Sequence, residues 1–287
     1  MALSASDARL ALVAITSAGV ADVESLLGQL EGASPDQVRA ALFEATPAII
    51  GQYSLGSSAL AADWYDDLRA EAGAPGAFTS EPVIPNRADK VGNMLGWATD
   101  PLYAAIPDVG EVALRLLPSV QAEIALPNRA TLTTNVRRDP DANGWRRIAE
   151  GGCKFCRFLA GRGEVYHKES SARFASHPNC NCTAQPVFHG QPGEEVSVLQ
   201  YVASKRRENR TPEQRKAIND ALRAMDAKPT RLTSVPTGAA AKAPSAFESM
   251  TRDQVQKQLD ITRGLKDSEW RTGQLARLEQ RIAELGD

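Results

Sequence analysis

Histidine and cysteine are scarce in this chain, with three and four copies among 287 residues, and aromatics make up only 6 %. So few histidines leave little room for acid–base catalysis. The motifs that would organise such chemistry are also missing. There is no G-x-S-x-G nucleophile elbow and no H-E-x-x-H zinc-protease helix. His167-Lys168-Glu169 matches the H-x-E of zinc deaminases, but the P-C-x-x-C that must follow it is lacking. No apolar run approaches the ~18 residues that a bilayer span requires, so no membrane partner is expected. The first residues lack a basic start and a cleavage site, so we expect an intracellular product, or part of an assembly built inside a cell.

What is present is ordinary globular composition, 43 % hydrophobic and 24 % charged, enriched in alanine. The net charge of −2 conceals an asymmetry. Residues 1–85 hold eleven acidic and three basic side chains (−8), and residues 86–287 hold 24 and 30 (+6). Opposite signs along one chain suit an assembly partner, and the basic part suits proximity to nucleic acid.

The pattern predicts a mainly α fold: a helical domain over 1–126, a small zinc-clamped, treble-clef-like α+β module over 127–190, a charged helical segment over 191–227, a linker over 228–244 and a helical tail over 245–287. Apolar stripes at helical spacing occupy Ser6–Ile15 and Val20–Leu30. Ser34-Pro35-Asp36 is an N-cap followed by proline at the first helical position, and the helix after it is expected to bend near Pro47. Ala72-Gly73-Ala74-Pro75-Gly76 is a stop, Phe78–Pro85 an extended connection, and Val109–Leu126 a further helix. Thr131–Val136 has strand composition. In the tail, Leu275, Leu278, Ile282 and Leu285 make a short seam, expected to dock a partner, with packing back onto this chain as the alternative.

The chemistry lies in the cysteines. Cys153-Lys154-Phe155-Cys156 is a C-x-x-C, and the other two fall in His177-Pro178-Asn179-Cys180-Asn181-Cys182. Two such groups about twenty residues apart can close a tetrahedron around one metal, and thiolate with imidazole favours zinc. Five ligands compete for four places. Our preferred set is Cys153, Cys156, His177 and Cys182, with Cys180 replacing either His177 or Cys182 as the alternatives. Disulfides do not suit an intracellular chain, and no βαβ pattern supports a thioredoxin-like pair. Because ligands are in surplus, the zinc is expected to be structural, one per chain, rather than catalytic.

The run Arg146-Arg147-Ile148-Ala149, Cys153-x-x-Cys156, Gly161, Tyr166, His177-Pro178-Asn179-Cys180-Asn181-Cys182 and Pro186 resembles the phage Mu F-like minor capsid proteins, whose motif ends H-P-x-C-R-C; Asn181 stands here in place of the arginine. Ala61–Arg69 resembles the form found in tailed phages of actinobacteria. The resemblance spans about residues 1–190. It implies a virion component inside the head near the portal vertex, made in the host cytoplasm, with the portal or major capsid protein as partner. The basic strip 129–173, ten Lys/Arg against five Asp/Glu, would suit non-specific contact with packaged DNA. Relatives are often named capsid maturation proteases. The residues supply no nucleophile–base constellation and favour a non-enzymatic structural protein. The protease and a nucleic-acid-binding zinc module are the rival readings.

Overall fold

The computed structural model describes residues 2–149, 154–161, 180, 182–189, 203, 209–225, 252–263 and 269–286. The fold is mainly α with one small sheet, as the pattern predicts. The two N-terminal stripes merge into one helix, α1 (Ala5–Gln29), capped by Ser4. By length and composition α1 would pass for a membrane span, contrary to the expectation that no run approaches that size; more than half of it is buried inside the protein. α2 (Pro35–Glu71) begins with the expected cap, a reciprocal box between Ser34 and Gln37, and continues through Pro47. α3 (Ala88–Thr99) leads through a short 3-10 turn to α4 (Val109–Arg138).

Helices α1, α2 and α4 pack on one another around Leu12, Leu42, Tyr53, Leu60, Leu116 and Ile124. Their approach is close at Gly19, where the Ile124 side chain and the Tyr53 ring occupy the space a Cβ would take. A second core forms where the far end of α4 meets Trp64 and Tyr65 of α2, and it includes Leu132, Trp145 and Phe188.

α4 differs most from expectation. It runs through Pro118 and Pro127 and absorbs Thr131–Val136, which are helix rather than strand, so the division expected at 126/127 falls inside a continuous helix. Two tertiary effects explain this. Asn128, the residue after Pro127, donates its backbone N–H to Ser57 Oγ at 3.2 Å, and Ser57 donates to the Ile124 carbonyl at 2.6 Å. A hydroxyl from α2 thus bridges the gap in the helical ladder next to the proline. Beyond it, the polar side chains that would favour a strand are put to use. Thr133 bonds back to the Arg129 carbonyl, while Thr131 and Asn135 pin the extended connection through Val83 and Glu81. Ser57→Ala would leave a buried N–H and a buried carbonyl unpaired, an expected loss of about 1–3 kcal/mol in chemical denaturation; a loss under half that would show that α4 closes its own gap.

The sheet follows from α4. Asp139 caps its C-terminus and the chain turns into β1 (Ala142–Ile148), which pairs antiparallel with β2 (Thr183–Phe188) in the register Trp145↔Pro186 and Ile148↔Thr183. α5 (Lys154–Ala160) touches β1. α6 (Pro212–Ala224), capped by Thr211 and Gln214 as its T-P-E start predicts, buries Ile218 with Phe158 and Leu159 of α5. α7 (Arg252–Arg263) and α8 (Glu269–Leu285) form a pair. The seam of Leu275, Leu278, Ile282 and Leu285 is covered by Val255 and Leu259 of α7, and α7 and α8 reach α1 and α2 respectively. The stripe expected to dock a partner therefore has its partner within the chain. The linker 228–244 lies outside the described residues.

A buried ion network ties the bundle to the sheet. Arg69 Nε donates to Asp139 Oδ2 at 2.9 Å and Nη2 to Asp141 Oδ2 at 2.7 Å, while the rest of the guanidinium holds the carbonyls of Ala74, Pro75 and Gly76. The turn can present those carbonyls inward because Gly73 and Gly76 take φ of 62° and 74°, open to glycine at no steric cost. Tyr65 also donates to Asp139 Oδ2, and burial, then the Asp139 charge, push its phenol far above the ordinary range, so it stays a donor.

Candidate metal centre

Cys180 and Cys182 come just before β2, and their thiols meet at 2.7 Å. Cys156 projects from α5, which the end of β1 brings alongside. All three thiols meet behind Ala149, only 2 %, 4 % and 0 % exposed for Cys156, Cys180 and Cys182. They are free, and their sulfurs lie within 4.8 Å of one another. Cys156 Sγ stands 3.6 Å from each of the other two, which are 2.7 Å apart. Metal–sulfur bonds of about 2.3 Å place tetrahedral sulfurs about 3.8 Å apart, so the two long edges match and the C-x-C edge would open by about 1 Å on binding.

Two buried arginines surround the cluster. Arg147, on β1 and 3 % exposed, donates Nη1 to Cys182 Sγ at 2.9 Å. Arg129, on α4 and 1 % exposed, donates Nε to the Cys182 carbonyl at 2.9 Å and Nη2 to the Cys180 carbonyl at 2.5 Å. Next to it, Asn128 accepts from Thr183 Oγ1 at 2.7 Å and donates to the Ser57 carbonyl, linking α2, α4 and β2 in one chain of bonds. Hydrogen bonds with Cys156 and Cys182 hold the Cys180 thiol far below the ordinary thiol range against the opposing effect of burial, and the Arg129 charge adds to the lowering. At Cys182 the bond with Cys156 lowers, but the bond with Cys180 and burial outweigh it, and the net direction is upward. Once Cys180 is ionised, a second thiolate beside it is harder to form without a cation.

The donor set therefore fits a soft or borderline metal: three sulfurs converge, two arginines offset their charge, and none of the three is open to water. Of the five candidate ligands, Cys156, Cys180 and Cys182 are brought together; Cys153, which directly precedes α5 in sequence, and His177 lie outside the described residues. Sequence reasoning missed Arg129 and Arg147 as site residues. It counted both in a basic strip facing DNA, yet both point inward. Period-two spacing of Cys180 and Cys182 was the available signal that both thiols face one centre. His189 is the one histidine among the described residues; it is exposed, and its backbone N–H bonds to the Asp141 carbonyl.

The family model described as VG15 protein matches residues 2–205, which takes in the bundle, the sheet and all the cysteines. No curated protein and no solved structure matches the chain.

Proposed function

The chain belongs to the VG15 protein family, a family of viral gene proteins, and from that premise we propose that it is a structural minor capsid protein of a tailed phage, stapled by one zinc ion. The observation that carries the metal half of this reading is the closed, three-sulfur cluster. Cys156, Cys180 and Cys182 are shut off from water, which suits a fully ligated structural ion better than a catalytic one that keeps a water position. Zinc is the metal proposed because it accepts tetrahedral thiolate sets without redox chemistry.

The ligand set that best accommodates this geometry uses both members of the C-x-C, with Cys153 completing four sulfurs. That is the alternative in which Cys180 replaces His177. We expect Cys153→Ser to lose zinc as fully as Cys156→Ser, and His177→Ala to keep about one ion per chain, read by elemental analysis after purification without added metal. The opposite pattern would make His177 the fourth ligand.

The assembly half of the reading rests on family membership and on the charge asymmetry. The proposed location is inside the head near the portal, with the portal or the major capsid protein as partner and only non-specific phosphate contact with the packaged DNA. Mass spectrometry of purified particles tests it directly. The chain should be present, uncleaved, in a fixed low ratio to the major capsid protein, and its absence from washed particles would end the proposal. Co-expression with the major capsid protein separates the protease rival, which requires that protein to be cleaved only when this chain is present.

A further inference from the structure

We infer that Arg129 is a positioning residue for the metal centre: from α4 it holds the carbonyls of Cys180 and Cys182, the two residues whose sulfurs meet. This deepens the metal reading above and rests on it. Two consecutive residues of one helix, Asn128 and Arg129, grip three of the four residues 180–183. Arg129 takes the carbonyls of Cys180 and Cys182, and Asn128 takes the hydroxyl of Thr183. The guanidinium is planar, and its donors are fixed in a fork. One guanidinium holds both carbonyls to that fork, which fixes the two residues that carry the sulfurs relative to α4. The thiols of those two residues stand side by side, 2.7 Å apart.

Nothing about the position is a surface accident. The Arg129 side chain lies in the protein interior between bundle and sheet, where an arginine carries a large desolvation cost. A metal-bearing cluster of thiolates would bring negative charge close to both Arg129 and Arg147. The consequence is coupling: the bundle pre-shapes the ligand arm, and a bound ion in turn fixes the second half of α4 to β2. Lysine cannot replace this function, since one ammonium has no fork with which to span both carbonyls.

The test uses the full chain, as wild type, Arg129→Lys, Arg129→Gln and, as a control on the same helix, the exposed Arg137→Met. Zinc affinity is measured by competition with a chromophoric chelator, and melting is followed with zinc bound and with zinc stripped. Loss of a partner outside the first ligand shell typically weakens a metal site about 10–100-fold. We expect that loss in both Arg129 variants, no change in Arg137→Met, and a zinc-induced rise in melting temperature that shrinks accordingly. Excess zinc should restore the fold of the variants. Affinity within twofold of wild type, equal melting losses with and without zinc, or variants that stay unfolded at saturating zinc would each overturn the inference and assign Arg129 a purely structural role. Wild-type protein that takes up no zinc would instead remove the metal reading itself, and this inference with it.

Discussion

We expect stripping of the proposed metal from the purified chain to lower its melting temperature on the order of 10 °C and added zinc to recover it, whereas Cys182→Ser should melt low and not respond to zinc. The size follows from what the ion would hold. Structural zinc contributes on the order of 10 kcal/mol to the folding of small modules. Here part of that is supplied by packing, because Trp145, Ala184 and Phe188 already bury against α2 and α4. A net loss of several kcal/mol remains, and a chain of this size shifts by about 2–4 °C per kcal/mol. Cys182 is the informative position. It is fully buried, it contacts both other sulfurs, and it accepts the Arg147 bond, so a serine there forfeits a ligand and alters the bond from a buried guanidinium. Without the ion we expect hydrogen exchange to rise first in β2 and then in α4 beyond Asn128, since these are joined by the Arg129 and Thr183 bonds. Equal melting with and without chelator, in protein that analyses for no metal, would dismiss a structural ion.

Asp139→Ala should cost about 3–5 kcal/mol, the range for removing one partner of a buried ion pair. The carboxylate side chain is 0 % exposed and Oδ2 alone receives both Arg69 Nε and the Tyr65 hydroxyl. Its loss leaves Arg69 with Asp141 and the turn carbonyls, a buried charge only partly matched. Three junctions give way together: the C-terminus of α4, the start of β1 and the turn after α2. Tyr65→Phe, which removes one hydrogen bond and leaves the charges paired, should cost about 1 kcal/mol. In the double mutant Arg69→Met, Asp139→Ala the losses should fall well short of their sum, because neither charge is then left alone. Chemical denaturation midpoints at constant slope measure the wild type, Tyr65→Phe, Asp139→Ala, Arg69→Met and the double mutant. A single-mutant loss near 1 kcal/mol would mean that water reaches Arg69 and that the network is not sealed.

Local signals sufficed wherever the chain decides its conformation within a few residues. Ser34-Pro35 and Thr211-Pro212 start helices because hydroxyl and proline satisfy or remove orphan N–H groups at that spot, whatever lies elsewhere. The run Ala72–Gly76 stops α2 through its glycines. Clustering of the cysteines made a candidate metal centre legible, since ligand type and spacing are properties of the segment itself. The structure then brings Cys156, Cys180 and Cys182 to one point.

Where partners come from far along the chain, local reading gave the wrong state or none. Thr131–Val136 has strand composition, yet it is helix, and Glu81 and Val83, tens of residues away, take up the side-chain hydrogen bonds of Asn135 and Thr131. Pro127 looks like a stop until a hydroxyl from α2 bridges the ladder beside it. The seam from Leu275 to Leu285 looks unpartnered until α7 covers it. Arg129 and Arg147 look like two more charges in a basic strip. Their inward direction is set by the packing of α4 against the sheet, and burial turns a solvated charge into one that must find carbonyls and sulfur. Residue type and short spacing thus marked which groups could serve as ligands; the desolvation and hydrogen-bond demands of distant segments settled where the described ones point.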